Sequence, residues 1–287
     1  MADNYVLITD SACDILPEKL AEWQVQMIPL AFLFTDTGKE QKDHEEPISD
    51  FYAAMRSGRV AKTSCINEEA FKNVFTSILE AGNDLLYLAF SSGLSATCEN
   101  AKKVAVKLAK QFPERKIRVV DSLAASAGQG LFVYLAAQNR DAGMSLEENA
   151  EALEKDVLHI CHWFTVDDLV YLKRGGRVSA TTALLGSALN VKPVLHVDND
   201  GHLIKMTQVH GRKKSIRKMA EKLGETILPG SPVFISHGDC LGDAEMLRDI
   251  LKNEYGKDVQ LITYIGSVIG AHSGPGTLAL FFRGKER

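Results

Sequence analysis

The sequence predicts an α/β protein in which helices cover sheets of buried strands. The first observation behind this fold class is that short apolar runs, typical of strands, alternate with longer segments whose apolar residues recur at helical spacing. The second is that the chain has 287 residues and is 45% hydrophobic, which is enough apolar material for one large domain or two ordinary ones.

The first half of the chain begins this alternation. Apolar runs predict strands at residues 5–10, 25–34, 84–90 and 117–122. Helices that stop at Gly58 and Gly82 are predicted from "PISDFYAAMRSG" and "NEEAFKNVFTSILEAG". A further helix begins near Ser145. Because strands and helices alternate, we expect a sheet covered by helices.

The pattern changes near Cys161, where a strand, a short helix and a glycine-rich basic turn are predicted from "HWFTVDDLVYLKRGGRVS". A hairpin follows around Asn199, Asp200 and Gly201. Later elements are helices near 213–226 and 243–255 and strands at 232–239, 259–265 and 277–282. We therefore expect two domains, 1–160 and 161–287, with any shared site in the cleft between them.

Composition limits the possible functions. The 33 basic and 37 acidic residues are scattered and give a net charge of −4, so no nucleic-acid surface is expected. The N-terminus lacks the pattern of a secretory signal, and no apolar run reaches the roughly 18 residues of a membrane span. The five cysteines lack the spacing of a zinc site or a redox dithiol. We expect a cytoplasmic protein with reduced thiols and without a bound metal or an integral membrane segment.

The run "YLAFSSGLSATCENA" places hydroxyl groups and a glycine at the exit of a buried strand, just before a helix. A helix N-terminus presents free N–H groups and a positive dipole end, so this loop suits an anion. Gly93 permits a tight turn, and the hydroxyls of Ser92 and Ser95 can donate to a carboxylate or a phosphate. The alternative interpretation is that Ser95 only caps its helix.

Two further segments have the same character. Thr63 and Ser64 of "AKTSC" precede a helix that begins near Asn67, and "IGAHSGPG" places His272 and Ser273 beside Gly-Pro-Gly. Each segment taken alone is also explained by a helix cap, a turn or a structural histidine.

The order of the motifs is more specific than any one of them. Across nearly the whole chain it runs "TDSACD", "KTS", "SSGLSAT", "VVDS", "LKRGGRVS", "LNVKPVL" and "IGAHSGPG". In this order they resemble the DegV family of bacterial fatty-acid-binding proteins, which includes the binding subunits of fatty acid kinase. The resemblance covers approximately residues 5–283. It implies two DegV-like α/β domains, an N-terminal one with the carboxylate-binding loops and a C-terminal one that covers the acyl chain.

The resemblance also assigns the residues of the head-group site. It places the fatty-acid carboxylate on Thr63 and Ser95, with Ser92 and Gly93 in the same loop and His272 close by. We expect hydroxyl groups and a helix N-terminus to hydrogen-bond the buried carboxylate without a metal.

The resemblance gives the basic turn a role at the ligand mouth. Arg174 and Arg177 match the family's turn there, where they are expected to face the phosphate or a partner protein. The chain departs from the family pattern in two places: Ala96 replaces a glycine, and Cys65-Ile66 replaces Gln-Pro beside Thr63. The second change leaves the acyl preference open.

The function implied by the resemblance is binding rather than catalysis. A long-chain fatty acid is the expected ligand, with no cofactor, and a separate fatty acid kinase is the expected partner that converts the presented carboxylate to acyl phosphate for phospholipid metabolism. The contrasting class is a serine-dependent hydrolase of a lipid ester, with Ser92 or Ser95 as nucleophile and His272 and Asp121 as partners. Gly-x-Ser-x-Gly is absent around either serine, and "GRKKS" lacks the upstream glycine of a Walker loop. Binding is therefore the favoured prediction.

Overall fold

The computed structural model describes residues 5–178 and 190–287, and it confirms the α/β class. The strands are β1 Tyr5–Asp10, β2 Val25–Ile28, β3 Ala31–Phe34, β4 Glu40–Lys42, β5 Ala61–Ser64, β6 Asp84–Ala89, β7 Ile117–Asp121, β8 Ile160–Thr165, β9 Val191–Val197, β10 Leu203–His210, β11 Val233–His237, β12 Leu261–Tyr264 and β13 Leu278–Arg283. The helices are α1 Pro17–Glu22, α2 Ile48–Arg56, α3 Glu68–Glu80, α4 Thr97–Gln111, α5 Ala127–Asp141, α6 Leu146–Asp156, α7 Val170–Gly175, α8 Arg212–Thr226, α9 Leu241–Tyr255 and α10 Ser267–Ser273. Residues 1–4, and Ser179 and Leu189 at the edges of two quoted motifs, lie outside the described residues.

The strands form three sheets. A parallel sheet has the order β2-β1-β6-β7, and a small antiparallel sheet has the order β4-β3-β5. The third sheet has six strands in the order β10-β9-β8-β13-β11-β12, and only its β11–β12 pair is parallel. The first two sheets are built from residues before 160, whereas the third begins with β8. The domain boundary near residue 160 stays a prediction.

Helix α5 packs between the parallel sheet and the six-stranded sheet. Leu131 and Phe132 of this helix belong to one buried cluster together with Leu88 of β6, Phe234 of β11 and Phe281 of β13. Burial of apolar surface stabilises a fold by roughly 25 cal/mol for each Å² removed from water, so this shared core holds the two sheets together.

The strand predicted at residues 25–34 is wrong as a single element. The structure divides it into β2 of the parallel sheet and β3 of the small sheet. The break lies at Pro29, which has no N–H group to donate to a strand ladder. The next N–H group, that of Leu30, donates to the hydroxyl of Ser11 over 3.0 Å rather than to a neighbouring strand.

The segment "AKTS" forms a strand rather than a turn. Residues Ala61–Ser64 make up β5, in which Thr63 pairs with Phe32 of β3. The helix after it starts where the sequence indicates, because the side chain of Asn67 accepts a hydrogen bond from the N–H group of Ala70 at 2.9 Å. Thr63 therefore stands on a paired strand, which fixes the direction of its side chain.

The predicted hairpin is confirmed, and its tip contacts the serine-rich loop that follows β6. The hydroxyl of Ser91 donates to the carbonyl oxygen of Gly201 at 3.0 Å. Gly93 packs against the same tip, since a Cβ atom at this position would lie 2.7 Å from the carbonyl oxygen of Asp200. The small residues of the loop thus leave room for the hairpin.

We expect Gly93→Ala to lower the free energy of unfolding by about 1 to 3 kcal/mol, because the added methyl group would overlap backbone atoms of the hairpin. The matched control is Gly242→Ala in α9, where a Cβ atom meets no atom within 4 Å and alanine should be neutral or slightly stabilising. Urea unfolding of the two variants measures the difference. Equal stability of the two would contradict the close approach at Gly93.

Candidate functional site

Asp10, the first aspartate of "TDSACD", anchors the loop after β6 through hydrogen bonds of its carboxylate. One carboxylate oxygen of Asp10 accepts hydrogen bonds from the Tyr87 hydroxyl at 2.5 Å and the Phe90 N–H group at 3.0 Å, and the other accepts from the Ala12 N–H group at 3.2 Å. Complete burial raises the pKa of the Asp10 carboxyl, and these hydrogen bonds act against the increase. The sequence alone assigns this motif no role, whereas the structure shows that Asp10 anchors the start of the loop.

The hydroxyl of Ser95 lies in a short network at the start of α4. Its oxygen accepts a hydrogen bond from the N–H group of Thr97 at 3.2 Å and lies 2.9 Å from the hydroxyl oxygen of Thr97. The N–H group of Ile66 in turn donates to the hydroxyl oxygen of Thr97 at 3.4 Å. The N-cap position of α4 is Ala96, and no side chain caps the helix there, so Ser95 is not its N-cap. Ser95 accepts from the first N–H group of the helix and lines the cavity described below.

Thr63 and His272 meet although they lie 209 positions apart in the sequence. The hydroxyl oxygen of Thr63 on β5 is 2.8 Å from Nε2 of His272, which stands near the C-terminal end of α10. Burial, helped by the positive charge of Arg177, lowers the pKa of His272 to about 4. The imidazole is therefore neutral at neutral pH and carries a single N–H group.

Asp14, the last residue of "TDSACD", holds the start of helix α10 through a hydrogen bond of its carboxylate. Its carboxylate accepts from the N–H group of Gly266 at 2.9 Å and from the hydroxyl of Ser126 at 2.5 Å. Burial raises the pKa of this carboxyl well above its ordinary value. Since Gly266 directly precedes α10, Asp14 sets the position of the helix that carries His272.

A cavity of about 310 Å³ opens beside these hydroxyl groups. This volume lies at the lower end of the range for small-molecule sites, about 300 to 1,000 Å³. Its lining is mainly apolar and comes from residues before and after position 160, among them Phe90, Leu94, Phe164, Val197, Leu203 and Phe281. The sequence alone does not identify these apolar residues as a lining, because they belong to separate strands and loops.

Four of the seven expected site residues line this cavity: Thr63, Ser95, Arg177 and His272. Ser64, Cys65, Ser126 and Ser273 line it as well. The other three expected residues, Ser92, Gly93 and Arg174, are not part of the cavity lining.

Ser92 and Gly93 belong to the loop but lie outside the cavity lining. Ser92 is exposed, and its N–H group donates to the carboxylate of Asp121 at 3.2 Å. Gly93 faces the hairpin instead. Arg174 is exposed, with its guanidinium carbon 5.7 Å from the ring centre of Tyr171.

The residues of a serine hydrolase are not assembled in the described part of the chain. His272 bonds Thr63 rather than either candidate serine, and Asp121 accepts from the backbone N–H groups of Ser92 and Leu123. A serine nucleophile needs a base within hydrogen-bonding distance, and the base needs an orienting group. This geometry favours binding over covalent chemistry.

Comparisons with known proteins agree with the motifs. The model of the DegV family, described as a family of uncharacterised proteins, matches residues 4–285. The chain belongs to the DegV family. A DegV domain-containing protein of Clostridium perfringens is 38% identical over 287 residues, which cover 99% of both chains. A relative from Thermotoga maritima, named a fatty acid-binding protein, is 32% identical over 292 residues, which cover 98% of both chains.

Solved structures of DegV proteins share the fold along their whole length. A DegV lipid binding protein from Thermotoga maritima matches with a TM-score of 0.85 and 30% identity over 99% of both chains. A Thermus thermophilus DegV family protein, described as binding fatty acid, matches with a TM-score of 0.83 and 30% identity, covering 98% of this chain and 99% of that one. Among the helices that the structure describes here, none is long and apolar enough to cross a bilayer.

Acidification should destabilise the protein through His272. The ordinary histidine pKa is 6.5 and that of folded His272 is about 4, so the unfolded state binds more protons between these values. The free energy of unfolding therefore falls as the pH drops through this window, by about 1 kcal/mol per pH unit from this group. His272→Gln, which does not titrate, should show a shallower loss in urea unfolding at pH 7, 6 and 5. Parallel pH dependences of the two proteins would contradict the lowered pKa.

Proposed function

We propose that this protein binds a long-chain fatty acid, with the acyl chain in the apolar cavity and the carboxylate on the hydroxyl groups of Thr63 and Ser95. The observation that carries the proposal is that both hydroxyls line one mainly apolar cavity and that each has a hydrogen-bonding neighbour that is able to donate to it. The fatty acid binding described for the Thermotoga and Thermus relatives supports the same ligand class.

The hydrogen-bond directions suit a carboxylate, which only accepts. With the single N–H group of His272 on Nε2, the ring donates to the oxygen of Thr63, and the Thr63 proton is free for the ligand. With Thr97 as the donor of its pair, the proton of Ser95 is free in the same way. Each hydrogen bond to a charged acceptor contributes about 1.5 to 3 kcal/mol, which offsets part of the cost of burying the charge.

The acyl chain supplies most of the affinity in this proposal. Each methylene group removed from water contributes about 0.8 kcal/mol, so a long chain outweighs the entropy lost on binding. Arg177, which lines the cavity, adds a positive charge for the carboxylate. A short acid would forgo the apolar contribution and is expected to bind weakly.

We further propose that the protein presents the bound carboxylate to a separate fatty acid kinase, which forms the acyl phosphate, and that it has no catalytic residue of its own. The exposed Arg174 stands in the last turn of α7, outside the cavity lining, and Arg177, three residues later, lines the cavity. An exposed cation that closely precedes a lining residue is suited to the transferred phosphate or to the partner's surface. Thr63, Ser95 and His272 then hold the acid while the partner acts on it.

Removal of either hydroxyl should weaken fatty acid binding. We expect Thr63→Ala and Ser95→Ala to raise the Kd for stearic acid by roughly ten- to a hundredfold, because each loses one hydrogen bond to the charged carboxylate. The double variant should lose less than the sum of the two effects, since both groups share one head group. Ser92→Ala is the matched control and should leave the Kd unchanged, because Ser92 lies outside the cavity lining.

Isothermal titration of the four proteins and the wild type with stearic acid measures these effects. Unchanged affinity in both single variants would reduce Thr63 and Ser95 to structural roles. Turnover of a lipid ester with an acyl adduct on Ser95 would favour the hydrolase instead.

The partner role predicts a separation between binding and phosphorylation. Arg174→Ala should bind stearic acid as the wild type does but support at least about tenfold less acyl phosphate formation with a cognate kinase, since it loses one charge-assisted contact. Arg248→Ala, which removes an exposed cation on α9, is the control. Equal acyl phosphate formation by both variants would remove Arg174 from the partner contact.

A further inference from the structure

The two glycines of "LKRGGRVS" have different roles in the structure. Gly176 is the C-cap of α7, with a φ of 68°, and its N–H group donates to the carbonyl oxygens of Leu172 and Lys173. This left-handed conformation favours glycine and explains the second glycine of the pair. Gly175, the last residue of α7, is explained by a close approach to α10 instead, since a Cβ atom here would lie 2.2 Å from Nδ1 of His272.

The imidazole of His272 lies between Gly175 and Thr63. Its Nε2 is 2.8 Å from the hydroxyl oxygen of Thr63, whereas its Nδ1 is next to Gly175 and has no hydrogen-bond partner among the described residues. A Cβ atom at Gly175 would also lie 3.1 Å from Cγ of the ring, so the contact involves the base of the side chain and not a freely moving end. The direction of the ring therefore depends on packing against Gly175 as well as on Thr63.

Both helices that meet at this contact are also held from their other sides. Leu172 fixes α7, because its side chain is 1% exposed and belongs to the core shared by the two large sheets. The start of α10 is held by two buried carboxylates. That of Asp14 accepts from the N–H group of Gly266 at 2.9 Å, and that of Asp43 accepts from the N–H group of Ser267 at 3.1 Å. A side chain added at the end of α7 would therefore displace the imidazole ring rather than either helix.

We propose that Gly175 is a positioning residue of the carboxylate site, because the absence of a side chain there lets the ring of His272 keep Nε2 at the hydroxyl of Thr63. The inference rests on the proposed function and adds a residue to it. Displacement of the ring would deprive Thr63 of the neighbour that is able to donate to it. The basic turn thus serves the head group through Gly175, in addition to the partner contact proposed for Arg174.

The first test is calorimetric titration of stearic acid into Gly175→Ala and into a matched control, Gly224→Ala. Gly224 also lies in the last turn of a helix, α8, and a Cβ atom there would lie 2.3 Å from the ring of Tyr255. Neither Gly224 nor Tyr255 lines the cavity. Gly175→Ala should raise the Kd for stearic acid about tenfold, whereas Gly224→Ala should leave it unchanged.

A double variant separates positioning from a general effect on the fold. His272→Ala removes the ring that the added methyl group would meet. In the His272→Ala background, Gly175→Ala should therefore cause no further rise in the Kd for stearic acid. An equal rise in both backgrounds would show that Gly175 does not act through His272 and would overturn the inference.

The His272 ring provides a readout that needs no ligand. NMR titration of its Hε1 resonance should give a pKa of about 4 in the wild type and in Gly224→Ala. In Gly175→Ala the pKa should rise toward the ordinary 6.5, because a displaced ring gains contact with water. An unchanged pKa or an unchanged Kd in Gly175→Ala would overturn the inference and leave the proposed function standing. Failure of the wild type to bind stearic acid would instead overturn the proposed function itself.

Discussion

The hydrogen bond between Thr63 and His272 is the interaction on which the site depends. It joins β5 of the small sheet to α10 through two residues that lie 209 positions apart. Because His272 is largely buried and neutral, its ring can act as a directed donor rather than as a charge. Asp14 holds the helix on one side of this contact, and the pairing of β5 with β3 fixes the strand on the other. The hydroxyl of Thr63 is therefore positioned before any ligand arrives.

Preorganisation of this kind explains how a carboxylate can be held without a metal or a buried cation pair. Hydroxyl groups that are already oriented lose little freedom when the ligand binds, and the apolar lining excludes water that would compete for them. The same arrangement argues against covalent catalysis. His272 is occupied by Thr63, and Asp121 is occupied by backbone N–H groups of its own loop. Under the proposed function, activation of the acid then falls to another protein.

The sequence predicted the α/β class, the hairpin and the family, and it brought forward Thr63, Ser95, Arg177 and His272, which the structure gathers around one cavity. These successes depend on local patterns and on the order of motifs. The sequence did not reveal the break between β2 and β3 at Pro29, because the apolar run continues where the chain passes from one sheet to another.

The sequence also missed the packing of Gly93 against the hairpin. This packing depends on contacts between residues far apart in the chain, which no spacing along the sequence reveals. Asp10 and Asp14 belong to a quoted motif, but their role as buried anchors needs the positions of Phe90 and Gly266.

The central claim is that a fatty acid lies in this cavity with its carboxylate on two hydroxyl groups. A crystal structure of the protein with stearic acid tests it most directly. The account predicts that one carboxylate oxygen lies within hydrogen-bonding distance, about 2.5 to 3.0 Å, of the Thr63 hydroxyl and that the other lies as close to the Ser95 hydroxyl. The acyl chain should contact Phe164 and Phe281. A carboxylate bound elsewhere, or a cavity without an acyl chain at saturating stearic acid, would contradict the account.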